Sequence, residues 1–222
     1  MVAATVFFLM EAMTVGAHWK TSMHVGALVT LVAAVHYFYM REYWVIMGSS
    51  PILYRYIDWS ITVPLQMIEF YLILKAVKPD IGTGMFYRLF FGTVLMLAAG
   101  YAGEAGFVGK LLGFIVGMAG WGFILFEIFA GEAGKTSGTV GPHIQTAFST
   151  MRLIVTVGWA IYPAGYFFGY LIFKGNHDNV LNAIYNLADF VNKIAFCLAI
   201  WASAKADTLE RIAKGEAGYR LG

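Results

Sequence analysis

Seven apolar segments, each followed by a short polar or glycine-containing break, leave this chain few folds to choose from. They run Val2 to Val15, Ser22 to Tyr39, Tyr56 to Leu74, Met85 to Tyr101, Val108 to Ala130, Phe148 to Phe173 and Val180 to Ala204. Most approach the roughly 20 residues that a helix needs to cross a bilayer. Lipid offers the backbone no hydrogen-bond partners, so a spanning segment must be a helix or a strand of a closed barrel. No alternation of barrel type is present. The expected fold class is therefore all-α, a seven-transmembrane-helix bundle forming one domain over residues 1–222. The connections are too short to hold a soluble domain. A content of 59% hydrophobic and 13% charged residues agrees with a multi-pass membrane protein in contact with a lipid bilayer. A net charge of +2 gives no reason to expect a nucleic-acid partner. A single cysteine, Cys197, excludes an internal disulfide, and no Cys/His cluster has metal-ligand spacing, so no metal is expected. The first segment lacks a basic leader and a small-residue cleavage site, and reads as a short membrane helix instead of a signal peptide.

Orientation follows from the basic residues. Lys20, Lys75, Lys78, Arg88, Lys135, Arg152, Lys205, Arg211, Lys214 and Arg220 fall on one side, and Arg41, Lys110 and Lys174 on the other. That bias places the N-terminus outside and the C-terminus in the cytoplasm.

Charges at bilayer depth carry the chemistry. Lys193 stands in the last apolar segment with Asp189 four residues before it, one helical turn away on the same face. An ammonium at that depth is costly unless something uses it, and the working reading is that Lys193 holds a covalent cofactor. In the third segment Arg55, Asp58, Thr62 and Glu69 share one helical face. Glu69 lies roughly 16 Å further along the helix than Asp58, from ~1.5 Å rise per residue. With the orientation above, Asp58 and Asp189 lie outward of Lys193 and Glu69 inward of it. These groups are either structural ion pairs or a proton path; Glu69, with no obvious basic neighbour, favours the second. The sixth segment adds Trp159, Tyr162 and Tyr166 on one face, which with Trp59 and Trp121 could form core packing or a slot around the lysine. Pro64 and Pro163 read equally as static bends or hinges. His36 could reach Asp58 from the second segment or be held by local hydrogen bonds. Glu11, Glu104 and Glu127 lie near segment ends and are expected to be solvated or interfacial.

Three stretches together resemble the microbial (type 1) rhodopsins, and within them the proteorhodopsins: Arg55-Tyr-Ile-Asp58-Trp59 through Pro64-Leu65-Gln66 to Glu69; Gly158-Trp159-Ala-Ile-Tyr162-Pro163; and Tyr185-Asn-Leu-Ala-Asp189-Phe-Val-Asn-Lys193. The resemblance covers essentially the whole chain. It implies a light-driven outward proton pump, an ion transporter and not an enzyme, in the bacterial inner membrane. All-trans retinal would be bound to Lys193 as a protonated Schiff base. Asp58 would be the primary counterion and proton acceptor, Asp189 the second counterion, Arg55 the charge tuning both and Thr62 a hydrogen-bond partner of Asp58. Glu69 would be the cytoplasmic proton donor, and His36 would hydrogen-bond the acceptor. Trp59, Trp121, Trp159, Tyr162 and Tyr166 would line the retinal. Gln66 stands where the family's spectral variants differ, and glutamine there resembles the blue-absorbing type. Leu181 replaces an outer glutamate of the archaeal pumps, which leaves release to Arg55 and water. The resemblance also implies a homo-oligomer, a pentamer or hexamer. The rival from another class is a photosensory rhodopsin that signals to a partner without net transport.

Overall fold

The computed structural model describes residues 1–172 and 178–216, and among these every regular element is helical. α1 (Val2–Glu11) leads through a 3-10 turn (Ala17–Trp19) into α2 (Lys20–Met47), followed by α3 (Ile52–Val77), α4 (Gly84–Glu104) and α5 (Lys110–Phe129). A short α6 (Glu132–Ser137) continues α5 after a break at Ala130 and Gly131. α7 (Pro142–Leu153), a π-helical turn (Ile154–Gly158), α8 (Ile161–Tyr166) and a second π-helical stretch (Phe167–Ile172) form one crossing, and α9 (Asp178–Ala213) forms the last. These make a seven-helix bundle. Six spans are long and apolar enough to cross a membrane, and α1 is a shorter apolar helix. The far end of the sixth apolar segment, Phe173, and Lys174 and Arg220 lie outside the described residues.

Helices overrun several apolar segments because the turns beyond the hydrocarbon remain good helix formers. α2 continues past Tyr39 to Met47 and stops where Gly48 adopts φ 63°, a left-handed cap that glycine tolerates. The connection expected from Met40 to Arg55 therefore shrinks to a few residues. Likewise α7 begins at Pro142, whose missing N–H suits the first helical position.

Polar side chains tie the helices together where lipid supplies no hydrophobic drive. Thr5 and Thr30 hydroxyls lie 2.9 Å apart between α1 and α2. Glu11 accepts from Trp201 Nε1 at 2.8 Å and Lys205 Nζ at 3.2 Å, joining α1 to α9. α4 and α5 approach so closely that a Cβ on Gly113 would lie 2.7 Å from Gly103 Cα. Glu127 departs from expectation: it is 2% exposed instead of interfacial. The start of α6 lies against it: its carboxylate accepts from the Ala133 N–H at 3.1 Å and from Arg88 at 2.8 and 3.2 Å. Glu11, at the end of α1, is half-buried by the contacts just described.

Candidate functional site

α3 and α9 place their charged faces opposite one another at mid-bundle. Lys193, 2% exposed, donates from Nζ to Asp58 Oδ2 at 2.5 Å and to Asp189 Oδ2 at 3.1 Å. The two carboxylates differ in company. Asp189 also accepts from Tyr162 OH at 2.7 Å, from Tyr37 OH at 2.9 Å and from Trp59 Nε1 at 3.2 Å to either oxygen. Asp58 has Lys193 on one oxygen, while its buried Oδ1 has no hydrogen-bond partner. Asp189 thus takes four donor groups, whereas Asp58 takes one and keeps the lone pairs of Oδ1 unpaired.

Three expected contacts take other forms. Thr62 Oγ1 donates to the Asp58 backbone carbonyl at 2.9 Å instead of the carboxylate, the back-bond a helical threonine readily makes. His36 pairs through Nδ1 with the Val32 carbonyl at 2.9 Å, its ring within electrostatic reach of Asp58 without a direct bond. Arg55 forms no ion pair with either aspartate. Its Nη2 donates to Asn182 Oδ1 at 2.6 Å and Asn186 Oδ1 at 3.1 Å, and its guanidinium lies over the Tyr185 ring at 5.4 Å. Nε and Nη1 of this buried arginine have no hydrogen-bond partner.

Asp58, Thr62, Gln66 and Glu69 follow one another along the buried face of α3. Neither oxygen of Glu69 makes a hydrogen bond of normal length, and the Ser22 hydroxyl of α2 is the polar group acting on it. No cation pairs with it among the described residues.

From Lys193 a cavity of about 860 Å³, its open mouth included, runs between α3, α4, α5, α8 and α9. Trp59, Gln66, Trp121, Trp159, Tyr162 and Tyr166 all line it, so the predicted aromatic set is brought together. Glu104, half-buried at the end of α4, lines it too. The π-helical turn shapes one wall: Trp159 N–H reaches back five residues to the Ile154 carbonyl. Two carbonyls of that turn accept instead from cavity-lining side chains, Val155 from Trp121 Nε1 at 3.1 Å and Gly158 from Asn192 Nδ2 at 3.0 Å. Sequence reasoning missed Tyr37, Tyr56, Asn192 and the part played by Tyr185. Tyr185 could have been found, since it stands one turn from Asp189 inside the quoted motif. A cavity with aromatic walls and the Lys193 amine on its lining fits a long apolar group joined to Lys193.

A family model described as bacteriorhodopsin-like protein matches residues 1–206. The chain belongs to the bacteriorhodopsin-like family. Two relatives within it are a blue-light absorbing proteorhodopsin from Gamma-proteobacterium Hot 75m4 and a green-light absorbing proteorhodopsin from Gamma-proteobacterium EBAC31A08. The first is 50% identical over 90% of this chain and 80% of its own length, the second 49% identical over the same shares. Among solved structures, a blue light-absorbing proteorhodopsin from Med12 superposes with a TM-score of 0.80, at 48% identity over 93% of both chains. Xanthorhodopsin, a light-driven ion pump with dual chromophore, superposes with a TM-score of 0.81, at 26% identity over 94% of this chain and 89% of its own. This rhodopsin is accordingly a multi-pass membrane protein whose relatives absorb light, with a light-driven ion pump among its structural neighbours.

Proposed function

We propose that this rhodopsin is a light-driven outward proton pump, with all-trans retinal joined to Lys193 Nζ as a protonated Schiff base. The observation that carries the reading is the asymmetry around Lys193: a fully donated Asp189, an Asp58 with one oxygen open, and a separate unpaired carboxyl at Glu69. Retinal, when bound, supplies light absorption and an isomerisation that redirects the Nζ proton. The remaining steps belong to the protein. Asp58 and Asp189 balance the positive charge at Nζ, and the aromatic walls exclude water. Asp58 accepts the Nζ proton along its hydrogen bond to Oδ2, with no second donor on Oδ1 to hold the carboxylate ionised, while Asp189, held by Tyr37, Trp59 and Tyr162, stays in place as counter-charge. Glu69 then returns a proton to Nζ from the opposite side, and the fixed positive charge of Arg55 favours the ionised carboxylates and so the departure of the proton outward. The bias of ten basic residues against three supports a cytoplasmic C-terminal end, and with that orientation this order moves protons outward across the bacterial inner membrane. Gln66 against the cavity supports absorption in the blue.

Lys193→Ala is the direct test. It should abolish the visible band of protein reconstituted with retinal, and a normal band would overturn the covalent site.

A further inference from the structure

The crossing formed by α7 and α8 is short of one backbone donor where it borders the cavity. Pro163 has no N–H to offer the Trp159 carbonyl four residues back, and the Tyr162 N–H takes that carbonyl instead, at 3.1 Å. In a regular α-helix the same N–H would go to Gly158. The Gly158 carbonyl therefore needs a donor from outside its own helix, and Asn192 Nδ2 supplies it at 3.0 Å.

The fit is close on both sides. A Cβ on Gly158 would collide with Asn192 Oδ1 and stand 3.0 Å from its Cγ, so glycine at 158 makes the room that the amide fills. Asn192 is buried, and its amide also bonds the Tyr162 hydroxyl, which donates to Asp189 at 2.7 Å. The next residue of α9 is Lys193, and Trp159, Tyr162, Asn192 and Lys193 all line the cavity. A tie between two helices would account for the Gly158 bond alone. It does not require that the amide adjoin the lysine, or that it hold both the carbonyl before Trp159 and the hydroxyl of Tyr162.

We propose that Asn192 is a positioning residue of the light step, which fixes Trp159 and Tyr162 along the slot so that the slot takes the all-trans chain in preference to a bent isomer. The proposal rests on retinal being joined to Lys193. Without the amide, the Gly158 carbonyl would be buried with no partner, which is costly. The remedy within reach is return of the Tyr162 N–H to it, and that turns Trp159 and Tyr162 about the helix axis.

The test takes Asn192→Leu, close in size and without a donor, Gly158→Ala, whose methyl displaces the amide, and the double variant. Each is loaded with all-trans retinal, kept in the dark and denatured, and the released retinal is separated by isomer. The ratio of 13-cis to all-trans should rise about fivefold in either single variant, the equivalent of ~1 kcal/mol for one hydrogen bond. The double variant should rise no further, because both substitutions remove the same contact. Amide hydrogen exchange over residues 154–162 of the retinal-free protein gives a second reading that needs no pigment, and it should quicken in both single variants. A wild-type isomer ratio in both, whatever the thermal midpoint does, would reduce Asn192 to a tie between helices and overturn the proposal. Unchanged exchange, or effects on the ratio that add in the double variant, would overturn it too. A visible band that survives Lys193→Ala would overturn the retinal reading itself, and the proposal with it.

Discussion

At the scale of single residues, hydrogen-bond supply separates two aspartates that look alike in sequence. Asp189 is met by two tyrosines, a tryptophan and the lysine, whereas Asp58 keeps an open oxygen. Glu69 stands apart, roughly 16 Å from Asp58 along α3 at ~1.5 Å per residue. Glu69→Gln should therefore delay return of the visible band after a flash by about 10²-fold or more, the scale of a lost general acid; unchanged kinetics would remove Glu69 from the path. Gln66→Leu, which replaces an amide lining the cavity with an apolar side chain, should move the absorption maximum to longer wavelength, read directly from the dark spectrum. A maximum that stays put would detach Gln66 from colour. Lys193, Asp58, Asp189 and Glu69 were legible in the sequence because a charge in an apolar run has few explanations. The bonds of Thr62, His36 and Arg55 were not. Spacing puts a side chain on a face, but the partner it takes there depends on rotamers and on neighbours such as Asn182 and Asn186. Tyr37 escaped notice because an uncharged aromatic in an apolar helix carries no such signal.

At the scale of elements, the crossings were legible from hydropathy and their ends were not. α2 and α9 run on beyond the apolar segments, and α6 forms where a loop was expected, since a helix outside the hydrocarbon needs only helix-forming residues and a cap. The break at Gly131 turned Glu127 from an expected interfacial residue into a buried one. Arg88 ties α5 to α6 across that break, bonding both Glu127 and Glu132. Arg88→Ala strands a buried carboxylate. It should cost about 2 kcal/mol, less than the ~3–5 kcal/mol for breaking a fully buried pair because Arg88 is 38% exposed. The midpoint of thermal loss of helical circular dichroism checks this, and an unchanged midpoint would show that α6 needs no such tie. The π-helical turn at Ile154–Gly158 was invisible in the sequence, where Pro163 advertised a bend without its form. It frees carbonyls that Trp121 and Asn192 take up, so the bend and the cavity wall are one feature.

At the scale of the whole molecule, the bundle holds acids on both sides of one lysine, and direction comes from how the bundle sits in the membrane. The basic-residue bias supports the C-terminal end as cytoplasmic, with Glu69 on that side and Asp58, Asp189 and Arg55 on the other. A pentamer or hexamer would place several such paths side by side without changing any of them. The measurement that tests the central claim most directly is the pH of the medium around retinal-supplied bacterial cells expressing this chain. Illumination should acidify the medium, a protonophore should abolish the change, and Lys193→Ala should give none. A medium that stays constant or turns alkaline in the light, with the pigment present, would contradict the account.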